Sequence, residues 1–147
     1  MIDDATLQMV ALLREGGVTG VPCDEFQVQD LEQCLRVELP AAFKAFLMIA
    51  GNGFEPFEGS QYAVADDYAD LQRQKGRILR KARMKSADAS FAFFVHQGYM
   101  IRYFYLGDGA NPPVFECIEG ETPPKQIAAS FVEFILREAR GGQSPTT

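Results

Sequence analysis

Residues 28–53, VQDLEQCLRVELPAAFKAFLMIAGNG, leave this chain few choices of local structure. Val28, Leu31, Cys34 and Leu35 recur at helical spacing, so one helix presents them on a common face. Pro40 cannot continue that helix. Its missing amide donor and fixed φ suit the first turn of a new one instead. Phe43, Phe46, Leu47 and Ala50 then recur at i, i+3, i+4 and i+7, an apolar stripe on a second helix. Gly51-Asn52-Gly53 is expected to stop that helix with residues that tolerate positive φ. Two apolar helices meeting at a fixed corner must bury their stripes on something else, and the strand-rich second half of the chain is the candidate. Periodicity alone also allows an ordinary helical hairpin with no further meaning.

The flanking segments supply that partner. A helix is expected over 3–14, with Ile2, Thr6, Met9, Val10 and Leu13 near one face, Asp3 or Asp4 as cap, and Gly16-Gly17 as stop. Residues 18–23 read as a short extended link. Asp24 and Gln27 have the spacing of a capping box for the helix that follows. After Gly53 a short strand is expected near 61–64. Asp66 or Asp67 is then placed to cap a helix over about 68–84, whose thin apolar face suggests that it lies mostly exposed. From Phe91 the pattern changes. FAFFVHQ and MIRYFYL flank a turn at Gly98 and read as a hairpin, central in a sheet covered on both faces. VFECI, residues 114–118, reads as a third strand and EGETPPK as a loop. Ser130 with Glu133 opens a last helix carrying Phe131, Phe134 and Ile135. The expected fold class is therefore α+β: a mainly antiparallel sheet with N-terminal helices and a C-terminal helix packed against it.

A chain of 147 residues suits one domain with a real core. Residues 1–140 are expected to form it, with 141–147, GGQSPTT, as a disordered tail. Twelve Phe and five Tyr point to an aromatic core or groove. The N-terminal MIDDATLQ carries acids where a secretory leader needs a basic region, and no apolar run is long enough to span a membrane. Cys23, Cys34 and Cys117 lack CxxC spacing and are expected as buried free thiols. These features together predict a cytoplasmic protein.

The order of parts around the helix pair carries a resemblance. Glu32, a short linker, Leu39-Pro40, an aromatic helix and Asn52-Gly53 are followed by Gly107-Asp108, Pro113-Val114 and Ser130-Phe131. Over roughly residues 26–138 this sequence resembles the SUKH superfamily, which includes bacterial toxin-immunity proteins and fungal regulators of cell-wall synthesis. It departs from that pattern at Phe54, where another glycine often follows the Asn-Gly, and in its basic segment before the hairpin. The resemblance implies an immunity protein that binds a cognate toxin domain, a nuclease being one such target, and occludes its active cleft without catalysis. It also allows a SUKH-type interaction or scaffold module in cellular regulation.

Little in the residues points to chemistry. His96 is the lone histidine, in an aromatic strand, and reads as a packed or edge residue rather than an acid-base group. Three scattered cysteines and one histidine do not make a zinc site. Asp66, Asp67 and Asp70 lack the loop order of a calcium site. GDGAN lacks the context of a phosphate loop, and no GxSxG elbow is present. No catalytic residue, metal or cofactor is expected.

Two surfaces remain. Glu55, Glu58, Asp66, Asp67 and Asp70 are interleaved with Phe57 and Tyr62. Carboxylates beside aromatic anchors suit a basic, phosphate-binding cleft, although a solvated acidic loop has the same composition. The other surface is the run Arg73, Lys75, Arg77, Arg80, Lys81, Arg83 and Lys85. Without it the chain keeps 7 basic against 20 acidic residues. It lacks the interleaved aromatics of a single-strand platform, so a solvated helix pairing with the chain's own acids is expected rather than a nucleic-acid contact.

Overall fold

The structure, a computed structural model, describes residues 3–16, 20–64, 67–81, 89–121 and 123–141. Among these, helix α1 (Asp4–Glu15) precedes a two-residue strand β1 (Gly20–Val21), then α2 (Glu25–Leu35) and α3 (Ala41–Ala50). Strand β2 (Gly53–Phe54) pairs antiparallel with β1 and runs into a 3-10 turn, Glu55–Phe57. Helix α4 (Tyr68–Lys81) leads to four strands and a closing helix: β3 (Ser90–His96), β4 (Met100–Tyr105), β5 (Val114–Ile118), β6 (Lys125–Ala128) and α5 (Phe131–Ala139). The four strands form one antiparallel sheet in sequence order. The fold is α+β, as the patterning predicts.

The caps that punctuate the helices form as their spacing demands. Asp3 accepts from the Thr6 amide at 2.8 Å. Asp24 and Gln27 close a reciprocal capping box. The Ser130 hydroxyl accepts from the Glu133 amide at 3.1 Å. Such caps contribute about 1 kcal/mol each by satisfying donors that the helix itself leaves free.

Helix α3 is the hub. Its Phe43 ring stands edge-on to Phe91, Phe104 and Phe131 at 5.4–5.6 Å between centroids. Phe46 reaches Phe54 and Phe131. Each buried ring contributes about 1.5–3 kcal/mol by leaving water, with a further ~0.5–1.5 kcal/mol from edge-to-face geometry. Ten of the twelve phenylalanines are linked ring to ring where the α3 stripe meets β3–β4 and α5; Phe26 and Phe115 lie outside that cluster.

Several expectations change on this framework. Gly51 does not use positive φ; it sits at φ −67° and ψ −18°. Glycine is needed there because a Cβ would lie 2.9 Å from Cys23 Sγ and 2.9 Å from Leu47 Cα. Positive φ falls instead at Gln97 and Gly98, which turn the β3–β4 hairpin. That hairpin is not central: β3 is an edge strand, and β4 and β5 lie inside. A fourth strand, β6, that the patterning does not announce begins at Lys125, the last residue of the expected loop. The strand expected near 61–64 is a single bridge, Gln61 to Val95.

Helix α4 is not mostly exposed either. Tyr68, Leu71, Lys75, Ile78 and Leu79 are buried, and the helix closes the free edge of β3. The Gln72 amide pairs with both backbone groups of Ala92, donating to its carbonyl and accepting from its N–H, each at 2.8 Å. Lys75 Nζ donates to the Ser90 carbonyl at 2.7 Å. Gln61 and Val95 exchange two backbone bonds further along. An edge strand would otherwise show these groups to solvent or to another chain. Cys23 and Cys117 are buried as expected, but Cys34 is exposed, because it lies just off the Val28–Leu31 face of α2. Expectations for residues 83–85 and 142–147 fall outside the described residues.

Candidate partner-binding surface

The acidic and aromatic residues between β2 and α4 separate into three environments. Glu55 and Glu58 stand exposed on the 3-10 turn and its cap. Phe57, between them in sequence, turns the other way. It is 1% exposed and packs against Phe54, Tyr62 and Phe94 at 4.9–5.3 Å. Its ring is part of the core and is not presented as an anchor. Tyr62 is half-buried, and its hydroxyl accepts from the Phe54 amide at 3.0 Å. Its carbonyl accepts from the Tyr68 hydroxyl. Both tyrosines therefore tie the 55–64 loop to the start of α4.

The third environment is the N-terminal turn of α4. Asp67 Oδ1 accepts from the amides of Ala69 at 3.0 Å and Asp70 at 3.3 Å, so it holds the helix start. Arg73 lies 3.5 Å from Asp67 and 3.2 Å from Asp70. These pairs are solvent-exposed and contribute little. Asp70 also accepts from Gln74 at 2.9 Å. The structure thus gathers Asp67 and Asp70 but internalises Phe57, while Asp66 lies outside the described residues.

A groove of about 360 Å³ opens beside Asp67, between α4 and α2. Leu31, Leu35 and Tyr68 line it with Asp30, Cys34 and Asp67. The outer side of α2 adds exposed Asp24, Glu25 and Phe26, the last 80% accessible. Sequence reasoning passed over Phe26. The available signal was its position two residues before Val28, off the apolar face that α2 buries.

The basic run behaves differently. Lys75 is buried against Ser90, Arg77 pairs with Glu119 and donates to the Gly98 carbonyl at 2.7 Å, and Lys81 reaches Glu119 at 2.8 Å. The two cations hold the Glu119 carboxyl below its usual range, through their hydrogen bonds above all. With Arg73 on Asp67 and Asp70, Arg80 is the one cation of α4 with no hydrogen-bond or ion-pair partner among the described residues. A phosphate-binding strip needs cations free to leave water for the ligand, and these are committed to their own chain.

His96 sits where β3 ends. Its Nδ1 lies 2.9 Å from the Ser60 hydroxyl, and its ring meets Tyr99 edge-on. Among the described residues no carboxylate bonds the ring to orient it as a general base would require. The pair links the 58–64 loop to the strand end. No group of three His, Cys, Asp or Glu side chains among the described residues is placed to hold a metal ion. No helix among them is long and apolar enough to cross a membrane.

No curated protein matches the chain. A family model does: the SMI1 / KNR4 family (SUKH-1), over residues 22–137. The match begins at the link into α2 and ends inside α5, so it takes in the helix pair, the edge-closing α4 and the whole four-stranded sheet. The helix–corner–helix hub with its later strand and cap motifs is therefore shared architecture, and the chain belongs to the SMI1 / KNR4 (SUKH-1) family.

Proposed function

We propose that this protein is a non-catalytic immunity protein that binds a cognate bacterial toxin domain and occludes its active cleft. The observation that carries the proposal is the disposition of charge. Four of the five described cations of α4 have partners on the chain itself, whereas Asp24, Glu25, Asp30, Glu55 and Glu58 face solvent with no cationic partner among the described residues. A chain of net charge −6 built this way offers carboxylates outward. A nuclease toxin concentrates cations in its cleft to hold phosphates. Carboxylates docked over that cleft would mimic the phosphates, speed association and exclude substrate. Inhibition would be stoichiometric and would need neither metal nor cofactor. The protein would act in the cytoplasm, where such a toxin meets its target.

Membership of the SMI1 / KNR4 family also favours a second reading, an interaction or scaffold module in cellular regulation. One experiment separates the two. Tagged protein is recovered from its own cells at moderate salt, and any stoichiometric partner is expressed alone and together with this chain. Immunity predicts that the partner arrests growth and that co-expression restores it. Charge reversal at Glu55, Glu58, Asp67 and Asp70 should then weaken the rescue. A stoichiometric partner that is harmless when expressed alone refutes immunity and supports the scaffold reading.

A further inference from the structure

We infer that the outer face of α2 is the docking surface for a cationic protein segment, with Phe26 inserted into an apolar recess of that segment. This rests on the protein-binding reading above and names the surface and the chemistry of the partner.

Phe26 is 80% exposed, well beyond the next large apolar side chain, Leu7 at 55%. Single exposed apolar residues are common and need no explanation. Phe26 differs in the stiffness of its mount and in what surrounds it. The capping box fixes the first turn of α2, with the Asp24 side chain accepting from Gln27 N–H at 2.9 Å and the Gln27 side chain accepting from Asp24 N–H at 3.0 Å. Asn52 Nδ2 then donates to the same Gln27 oxygen at 3.1 Å and to the Pro22 carbonyl at 3.2 Å. The ring is thus carried on backbone cross-tied to the α3–β2 turn, and little backbone ordering is left to lose on binding. Aromatic side chains on such mounts are typical interface anchors.

The charge around the ring selects the occupant. From Glu15 to Leu35 the sequence has five acids and no lysine, arginine or histidine. Among the described residues none of Asp24, Glu25 and Asp30 has a cationic partner. Asp67 adds a further carboxylate across the groove. A second copy of this chain would set the same acids against each other in a two-fold contact. Nucleic acid and anionic lipid would be repelled in the same way. A lysine- or arginine-rich protein segment with an apolar pocket satisfies both the ring and the rim.

The test uses the full chain labelled with ¹⁵N, titrated with a synthetic amphipathic helix of leucine, lysine and arginine and with its glutamate-substituted counterpart. The cationic peptide is expected to shift amides at residues 24–34 and 67–69 saturably at low salt, and the anionic one is not. Phe26→Ala should raise Kd by about tenfold or more, as should the pair Glu25→Lys and Asp30→Lys, whereas Phe26→Leu should retain most of the affinity. Shifts centred on Glu55 and Glu58, equal responses to the two peptides, or no saturable shift would overturn the inference. Its failure is distinct from failure of the immunity reading. A toxin neutralised as well by Phe26→Ala as by wild type removes this surface and leaves immunity intact. A harmless cellular partner that loses binding on Phe26→Ala does the reverse.

Discussion

Replacing Gln72 tests whether α4 is a structural closure of the sheet edge rather than a solvated basic helix. Its amide makes two bonds of 2.8 Å to the N–H and carbonyl of Ala92, a residue with no exposed surface. In Gln72→Ala both backbone groups lose their partner while remaining enclosed by the same helix. A buried polar group left unpaired costs about 1–3 kcal/mol. With partial relief by water on the helix side, the pair should cost roughly 2–4 kcal/mol. Against a typical domain stability of ~5–15 kcal/mol, that loss is large, and it should lower Tm by roughly 5–15 °C for a chain of this size. Urea unfolding measures the loss, and hydrogen exchange at the Ala92 amide locates it. A change below about 0.5 kcal/mol, with Ala92 still protected, would show that the edge needs no such cap.

Gln72→Glu sharpens the same argument. A protonated glutamate can donate to the Ala92 carbonyl and accept from its N–H much as glutamine does. An ionised one keeps the N–H bond but faces the carbonyl oxygen with negative charge. Its folded pKa must therefore lie above the unfolded value of about 4.3. A group raised in the folded state stabilises below its unfolded pKa, and that stability is lost as pH rises through the folded pKa. Relative to wild type, Gln72→Glu should thus be nearly neutral below about pH 4 and increasingly destabilised above it. A pH-independent difference would refute the donor role of the amide.

Two further predictions follow from the charge and thiol positions. Glu119 has a depressed carboxyl pKa, caused by Lys81 and Arg77, so its contribution is present above the unfolded pKa and lost as pH falls through the folded one. Glu119→Gln should flatten the acid limb of the stability curve of the wild type, as read by thermal unfolding between neutral and acid pH. Among the three thiols, Cys34 is exposed whereas Cys23 and Cys117 are buried, and burial pushes both of the latter upward in pKa. An aromatic disulfide reagent should therefore label one thiol quickly in the native protein and two only on unfolding; three fast thiols would contradict the packing.

The hub of the fold was readable because its signals are apolar and periodic. Phe43, Phe46, Leu47 and Ala50 declare one face of α3, and the caps at Asp24 and Ser130 need only a short-range partner. What escaped was of two kinds. Helix α4 buries Lys75 and uses Gln72 as an edge cap, but patterning counts apolar residues and takes both of these for solvent-facing ones. Strand β6, KQIA, has too few residues and too little β propensity to declare itself, and it exists because β5 offers it a ladder. In the candidate surface, the exposed acids Glu55, Glu58 and Asp67 were legible from composition. Phe57 was not, because a 3-10 turn of three residues has no period from which to read which side chain turns inward. Gly51 shows a related gap: the sequence announces a glycine, but only the fold shows that its reason is the approach of Cys23 Sγ.

The way the sheet is closed also narrows how a partner can bind. An open edge strand invites recognition by strand addition, in which main-chain bonds supply affinity. Here β3 is sealed by Gln61, Gln72 and Lys75. At the opposite edge β6 has four residues, begins with Lys125, and has its Ile127 carbonyl taken by Arg137. Both edges thus offer few free backbone groups. Recognition must then run through side chains on helices and loops, where specificity comes from anchors and charge rather than from backbone pairing. Lys75, one of the residues that seal β3, is the cation of α4 that this closure buries. On the proposed reading of a basic protein partner, charge reversal at Glu25, Asp30, Glu55 and Glu58, whose side chains cap no helix, should disturb binding far more than stability.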